Sequence, residues 1–300
     1  MASPKEASGQ GRPPCWLVEA RPRPVINLKT AERLHRYGIA TICEAAFCPN
    51  LGECSSAGQA TFLLMGPACS RNCGFCSVPK GALAPLDETE PRRVADAAVE
   101  LELDYVVLTS TTRDDLPDGG ASVFAQSLAW LQKQLPKVLV EVLVPDFQGD
   151  EAALATVLEA GPVVLNHNVE TVPALYPTVR PGADFDRSLR LLAQARQLRP
   201  DIIVKSGLMI GLGENEIQLC QTLKALAEAG CQLVTLGQYL RPTARQLPVV
   251  SYYEPEEYPR LAELGRAAGL EEVLAGPFVR SSWRAKQTFE SLARKGHPTC

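Results

Sequence analysis

The sequence has no long hydrophobic run and no excess of positive charge. No stretch of about 18 consecutive apolar residues occurs, so the sequence predicts no membrane span. The formal net charge is −4 over 300 residues, which argues against the broad basic surface of a nucleic-acid-binding protein. The first residues, MASPKEASGQGRPPC, are polar and lack the apolar centre of a secretory signal. We therefore expect a cytoplasmic protein in which residues 1–25 form a flexible tail.

The chain also lacks a glycine-rich dinucleotide-binding loop after its first predicted strand, and a cysteine-rich loop stands there instead. From residue 60 onward, short apolar runs alternate with segments of helical period in about six βα units. Continuous apolar strands are typical of a parallel sheet covered by helices, although their order alone does not separate a doubly wound sheet from a barrel. Polar residues gather just after the predicted strands, as in βα barrels. We predict an α/β fold, a partial (β/α)6 TIM-like barrel with N- and C-terminal extensions.

Six of the ten cysteines lie between residues 43 and 76. A reducing compartment disfavours disulfides, so a dense cluster indicates metal binding or redox chemistry. In the stretch ACSRNCGFCSVP, Cys69, Cys73 and Cys76 are spaced C-x3-C-x2-C. A structural zinc site usually needs four ligands, and a redox C-x-x-C pair leaves Cys69 unexplained. A [4Fe–4S] cluster with three thiolates accounts for all three and keeps one iron open for a substrate or cofactor.

A second trio precedes the first in the stretch ICEAAFCPNLGEC. Cys43, Cys48 and Cys54 are spaced C-x4-C-x5-C. Free thiols or a zinc knuckle remain alternatives for this trio by itself. As a cluster site, the trio would again leave one iron without a cysteine ligand.

The C-x3-C-x2-C loop, with the aromatic Phe75 directly before the last cysteine, resembles the radical S-adenosylmethionine superfamily. That resemblance implies that the open iron is chelated by the amino and carboxylate groups of S-adenosylmethionine. It also implies reductive cleavage of the sulfonium to a 5′-deoxyadenosyl radical, which takes hydrogen from an unactivated carbon. The superfamily fold, a partial or full βα barrel, agrees with the pattern of strands and helices.

The two trios together are similar to the lipoyl synthase family. Further similar stretches between about Ile26 and Trp283 are CSRNCGFCSV, TSTTRDDLPDGGA, NHNVETVPALYPTVRPGADFDRSL, KSGLMIGLGE and GPFVRSS. The resemblance implies an N-terminal extension over residues 26–59 with auxiliary cluster ligands, a radical-enzyme barrel over 60–277, and a C-terminal extension over 278–300 that closes the auxiliary site.

The serine pair near the end of the chain takes its meaning from this resemblance. The family ends with an Arg-Ser-Ser-Tyr motif, and this chain has Arg280-Ser281-Ser282-Trp283. By themselves the serines would be interpreted as a helix N-cap. The resemblance instead makes Ser282 the fourth ligand of the auxiliary cluster.

The implied reaction is insertion of two sulfur atoms at C6 and C8 of an octanoyl group on a lysine of a carrier domain. Two S-adenosylmethionine molecules are consumed, and the auxiliary [4Fe–4S] cluster is the sulfur donor. Octanoyl carbons carry no acidic proton, so general base catalysis cannot activate them. The alternatives are a biotin-synthase-like or methylthiotransferase-like enzyme, or a non-catalytic carrier of electrons with two clusters.

Four polar residues are further candidates for cofactor binding. Asn168 ends the predicted strand at 162–168 and Glu170 comes after it, whereas Lys205 interrupts an otherwise apolar strand. Arg180 resembles a substrate-facing arginine of the family. Departures from the family pattern are Gln59 for threonine, Gln246 for histidine, Ser251 for arginine and Trp283 for tyrosine.

The resemblance also implies partners. The carrier domains are the E2 subunits of 2-oxoacid dehydrogenases and the H protein of glycine cleavage. A ferredoxin or flavodoxin supplies electrons, and an iron–sulfur carrier restores the auxiliary cluster. We expect a monomer with no nucleic-acid or membrane partner.

Overall fold

The computed structural model describes residues 13–22, 32, 34, 36–56 and 61–294. The strands are β1 Ala40–Thr41, β2 Thr61–Leu64, β3 Tyr105–Ser110, β4 Leu139–Leu143, β5 Val164–Asn166, β6 Ile203–Ile210, β7 Leu233–Gln238 and β8 Glu272–Gly276. The α-helices are α1 Cys15–Glu19, α2 Ile42–Ala45, α3 Leu51–Ser56, α4 Glu90–Glu100, α5 Ala121–Gln134, α6 Glu151–Glu159, α7 Tyr176–Val179, α8 Phe185–Leu198, α9 Glu216–Glu228, α10 Glu257–Ala267 and α11 Ala285–Arg294. Short 3₁₀ helices cover Phe147–Gly149 and Pro173–Leu175.

The strands form one sheet in the order of the sequence, β1 to β8. The short β1 runs antiparallel to β2, and every later neighbour is parallel. A sheet that always grows on the same edge, with a helical connection between successive parallel strands, curls into a barrel. Within the described residues, β8 does not pair with β1, so the barrel is partial. The predicted α/β TIM-like fold of six βα units is therefore confirmed.

Alternate residues of each strand face the surrounding helices and form the main core. Five of these residues are 0% exposed and pack with the apolar faces of the helices: Phe62, Val106, Leu108, Val142 and Leu165. The intervening residues face the barrel interior, because side chains alternate along a strand. That second set can line an internal site.

The last helix, α11, fills the N-terminal end of the barrel. Leu292 packs against Val164, Ile203 and Leu233, which are the first residues of β5, β6 and β7. The ring of Phe289 lies 5.9 Å from that of Tyr105 at the start of β3. With this end plugged, the free interior of the barrel lies at the carboxyl ends of the strands, where parallel βα folds bind ligands.

Part of the predicted tail has local structure. Cys15–Glu19 form a helix in which Leu17 is buried. The departure at Gln59 lies outside the described residues. Within the described part of the chain, no helix has the length and apolarity required to cross a membrane.

Candidate active site

A cavity of about 750 Å³, here called the larger cavity, opens at the carboxyl ends of the barrel strands. Its walls include Thr109, Leu143, Gly207, Thr235 and Gly237, which are inward-facing residues of β3, β4, β6 and β7. The first cysteine trio, Cys69, Cys73 and Cys76, also lines it. The interior of the barrel and the cysteine loop after β2 therefore share one space.

Contacts with neighbouring loops fix the cysteine loop. The backbone N–H of Gly74 donates to the carbonyl of Val179 (2.9 Å), and that of Leu247 donates to the carbonyl of Gly74 (2.9 Å). A Cβ atom on Gly74 would meet the end of the Leu247 side chain at 2.8 Å, so a larger residue would have to displace that side chain. The loop therefore presents its cysteines on a backbone that is held from two sides.

The buried guanidinium of Arg71, within the same loop, binds two carboxylates. It pairs with Asp114 (2.8 Å) and with the fully buried Asp146 (2.6 Å). Burial by itself would raise the pKa of Asp146, but the hydrogen bonds and charge of Arg71 lower it to about 2. The role of Arg71 is not visible in the sequence, because its two partners lie 43 and 75 residues away.

The first trio suits a cluster. The sulfur of Cys69 accepts backbone N–H groups of Arg71 (3.5 Å) and Thr112 (3.4 Å), and such hydrogen bonds to sulfur tune iron–sulfur centres. Burial raises the pKa of the Cys73 and Cys76 thiols, so metal binding would have to displace their protons. In the described residues, no three His, Cys, Asp or Glu side chains form a site for a single metal ion. Thiolates on separate irons of a cluster do not need that convergence.

The second trio lines a smaller cavity of about 410 Å³ together with Ser282. Burial and the neighbouring thiols raise the pKa of Cys43 to about 12 and that of Cys54 to about 11. The three cysteines come from the short helices α2 and α3 and the turn between them. Three thiols and one hydroxyl on the wall of one cavity equal in number the ligands of a [4Fe–4S] cluster.

A buried hydrogen bond ties the N-terminal extension to the C-terminal one. The amide of Asn50, which is buried, donates to the carbonyl of Phe278 (2.6 Å). Phe278 precedes the Arg280-Ser281-Ser282-Trp283 segment, so this bond holds that segment beside the cysteines of α2 and α3. Cys43, Cys48 and Ser282 line both cavities, and this places the second trio next to the first.

The predicted residues Asn168, Glu170 and Arg180 meet at the wall of the larger cavity. The Asn168 amide donates to the Glu170 carboxylate (3.0 Å) and accepts from the Ser281 hydroxyl (2.9 Å). Arg180 donates to the carbonyls of Asn168 (2.9 Å) and Val169 (3.1 Å), yet its buried Nε has no partner among the described residues. Burial raises the pKa of Glu170, although Arg180 and Asn168 lower it.

Lys205 does not join this group. Its ammonium group donates to Glu141 (2.8 Å), and both side chains are at most 2% exposed. Glu141 also accepts from the hydroxyl of Tyr105 (2.8 Å). Gly207, two residues further along β6, lines the larger cavity, but Lys205 is not among the described residues that line it. The expectation that Lys205 binds the cofactor is not supported, because a partner on β4 already neutralises its charge one layer below the cavity.

Replacing Lys205 with methionine is expected to lower the free energy of unfolding by about 3–5 kcal/mol, because Glu141 would remain buried without its cation. Lys205→Met combined with Glu141→Gln should recover part of that loss, since glutamine still accepts from Tyr105. Urea denaturation measures the free energy of unfolding of the single and the double variant. Lys224→Met is the matched control, because its pair with Glu228 (3.7 Å) is exposed. An equal loss in both single variants would contradict the structural role.

Two departures from the family pattern have defined positions. The Gln246 amide donates to the carbonyl of Cys76 (3.3 Å) and accepts from the hydroxyl of Thr243 (2.7 Å). The Trp283 ring lines the smaller cavity and lies 4.4 Å from the Arg284 guanidinium. Nothing in the structure explains Ser251, whose backbone carbonyl accepts from Gln238 (3.0 Å).

Arg280 is a residue of the site to which the sequence analysis gave no role. It lines both cavities, and its guanidinium donates to the carbonyl of Val279 (2.6 Å). Burial lowers the pKa of Arg280, while the nearby Cys48 raises it. Its position directly before the serine pair was the available signal, but nothing in the sequence says which cysteine an arginine will face.

Comparison with known proteins agrees with this geometry. Residues 63–226 match the family model of the radical SAM superfamily. The lipoyl synthase of Caldanaerobacter subterraneus subsp. tengcongensis is 54% identical over 87% of this chain and 91% of that protein. The lipoyl synthase of Rubrobacter xylanophilus is 46% identical over 97% of this chain and 90% of that protein.

Among solved structures, methylornithine synthase is similar in fold, with a TM-score of 0.54 and 16% identity over 86% of this chain and 84% of that chain. At such low identity this likeness supports the fold alone. The activity follows from the curated relatives, which match nearly the whole chain at 46–54% identity. The chain belongs to the lipoyl synthase family of radical S-adenosylmethionine enzymes.

Proposed function

We propose that this lipoyl synthase holds its radical cluster with Cys69, Cys73 and Cys76 and its auxiliary cluster with Cys43, Cys48, Cys54 and Ser282. The observation that carries this proposal is the pair of adjoining cavities, each lined by one complete trio, with Cys43, Cys48 and Ser282 in both walls. Sulfur insertion requires the acceptor carbon and the sulfur source to be close, and adjoining sites provide that proximity. The residue ranges 26–59, 60–277 and 278–300 are the corresponding parts of the chain.

When bound, S-adenosylmethionine and the two [4Fe–4S] clusters supply the electron transfer, the hydrogen-abstracting radical and the sulfur atoms. The chain positions them. Glu170 provides a carboxylate for the amino group of S-adenosylmethionine, and Arg180 provides a cation for its carboxylate. The unpartnered Nε of Arg180 supports this assignment, because a buried donor without a partner is costly unless a ligand satisfies it. Asn168 orients Glu170 through its amide.

The apolar part of the larger cavity suits an octanoyl chain. Leu63, Leu143, Leu208, Met209 and Val279 contribute to its walls. These side chains bind methylene groups and exclude water from the reacting carbons. A saturated acyl chain offers no hydrogen-bonding group, so shape and apolar contact must place its C6 and C8 positions.

The substrate is protein-bound, and the rim of the larger cavity is suited to a carrier domain. Val18 is 57% exposed and Phe47 is 62% exposed, and both line the cavity at this rim. Exposed apolar side chains beside an opening are typical of protein contact sites. We infer that the E2 subunits of 2-oxoacid dehydrogenases and the glycine cleavage H protein present their octanoyl-lysine here. The further proposals are a ferredoxin or flavodoxin as electron donor, an iron–sulfur carrier for cluster repair, and a monomeric, cytoplasmic enzyme.

The test uses protein loaded anaerobically with iron and sulfide. It is mixed with S-adenosylmethionine, a strong reductant and a peptide that bears octanoyl-lysine, and the peptide is analysed by mass spectrometry. We expect gain of two sulfur atoms with loss of hydrogen. Formation of 5′-deoxyadenosine with an unchanged peptide would retain the radical chemistry and reject the substrate. No change in either molecule, with both clusters loaded, would reject the enzymatic assignment.

A further inference from the structure

The sulfur of Cys69 accepts two backbone hydrogen bonds that come from different parts of the chain. One donor is the N–H of Arg71 in the cysteine loop (3.5 Å), and the other is the N–H of Thr112, two residues after the end of β3 (3.4 Å). Hydrogen bonds to the sulfur atoms are among the factors that set the reduction potential of an iron–sulfur centre. The contacts that hold residues 69–71 against residues 112–114 therefore bear on the potential of a cluster bound through Cys69.

Ser70 provides the first of these contacts. Its backbone N–H donates to the carbonyl of Thr112 (2.9 Å), and its hydroxyl oxygen accepts from the backbone N–H of Asp114 (3.2 Å). Ser70 is exposed, so water competes for both bonds and their net contribution is modest. A second contact is needed to fix the two segments firmly.

Arg71 supplies that contact with two bidentate pairs. Its guanidinium, which is 8% exposed, binds both carboxylate oxygens of Asp114 (2.8 Å each) and both of Asp146 (2.9 and 2.6 Å). Asp146 is 0% exposed and also pairs with Arg187 on α8 (3.2 Å). Bidentate pairs between arginine and carboxylate are strong and directional. They hold the cysteine loop against the segments that follow β3 and β4.

The four charged side chains of this network balance one another. Arg71 and Arg187 each carry one positive charge, and Asp114 and Asp146 each carry one negative charge. The network therefore adds no net charge beside the cysteine loop. Its influence on a cluster in that loop is exerted through the position of the backbone.

We propose that Arg71 is a positioning residue that sets the reduction potential of the radical cluster, because it keeps the N–H groups of residues 71 and 112 on the sulfur of Cys69. The proposal rests on the assignment of Cys69, Cys73 and Cys76 as the ligands of that cluster. One electron from the reductant adds a negative charge there, and N–H groups directed at the sulfur stabilise it. Without the two bidentate pairs, the cluster becomes harder to reduce.

The test is a redox titration followed by electron paramagnetic resonance, on a Cys54→Ala background so that the radical cluster alone contributes. In Arg71→Lys we expect the ratio of reduced to oxidised cluster at a fixed potential to fall about tenfold, which is about 59 mV for one electron. Lysine keeps the charge but cannot form the bidentate pairs, so an effect of charge alone would leave the ratio unchanged. Arg199→Lys is the matched control, because its bidentate pair with Asp201 (2.9 and 2.6 Å) lies before β6. The ratio should not change in the control.

Asp146→Asn separates position from charge by the sign of its effect. Loss of a negative charge would by itself make the cluster easier to reduce, whereas a loosened Arg71 makes it harder. We expect the ratio of reduced to oxidised cluster to fall. Backbone hydrogen exchange, measured by mass spectrometry on a peptide that contains Thr112, should become faster in the same loaded protein.

A higher ratio in Asp146→Asn would overturn the proposal, as would an unchanged ratio in Arg71→Lys protein with its cluster fully loaded. If Arg71→Lys binds no iron, the sign of the change in Asp146→Asn decides. Failure of the Cys54→Ala protein itself to load a cluster would instead reject the ligand assignment on which the proposal rests.

Discussion

Replacing Cys73 with alanine is expected to abolish cleavage of S-adenosylmethionine, whereas replacing Cys54 with alanine should abolish only sulfur insertion. Cys73 lines the larger cavity with Cys69 and Cys76, and Cys54 lines the smaller one. Removing one of three ligands destroys the radical centre and with it the whole rate enhancement, so cleavage should fall by at least about 10⁶-fold. The Cys54 variant keeps the radical centre and loses the sulfur source.

The two products are measured in one reaction, 5′-deoxyadenosine by chromatography and the octanoyl peptide by mass spectrometry. Cys220→Ala is the control, because Cys220 lies on α9 and lines neither cavity in the described part of the chain. It should behave as the unmodified protein. If the Cys54 variant also ceased to cleave S-adenosylmethionine, the two trios would not be independent sites. Persistent cleavage in the Cys73 variant would contradict its role as a ligand.

The fold could be predicted because its signals are local. The apolar run DYVVLTS at 104–110 corresponds to β3 Tyr105–Ser110, and the helical period at 91–103 corresponds to α4 Glu90–Glu100. Burial on both faces of a parallel sheet forces such continuous apolar runs, so each strand is visible by itself. The first cysteine trio is equally local, since its three members lie within eight residues.

Contacts between distant parts of the chain could not be predicted. Lys205 was expected in the cofactor pocket because an unpaired charge in a barrel is costly. Its partner Glu141 lies 64 residues earlier, within a run whose other members are apolar, so the pair was invisible. The bond between Asn50 and Phe278 spans 228 residues. Ser282 was placed beside the second trio only through the resemblance, because two serines before a helix have a local interpretation as well.

Replacing Ser282 with alanine is expected to reduce sulfur insertion by more than about 100-fold, beyond the usual cost of losing an outer-shell partner of a metal site. Cleavage of S-adenosylmethionine should persist, since Ser282 is not among the radical trio. Ser282→Cys should bind the auxiliary iron well but insert sulfur slowly. A thiolate is a soft ligand that holds iron firmly, whereas a serine oxygen is hard and leaves more easily when the cluster is taken apart.

Comparison of Ser282→Ala with Ser282→Cys shows whether Ser282 binds the auxiliary cluster or only caps a helix. The Mössbauer spectrum should change in both variants, and iron content should fall in Ser282→Ala. If Ser282 only capped a helix, its replacement would leave the spectrum unchanged and lower the free energy of unfolding by about 1 kcal/mol. Ser281→Ala offers the contrast, because the Ser281 hydroxyl donates to Asn168 (2.9 Å) on the wall of the larger cavity. It should weaken binding of S-adenosylmethionine and leave the auxiliary spectrum intact. Adjacent serines would then serve different centres, because Ser282 lines both cavities beside the second trio, whereas Ser281 lines only the larger of the two.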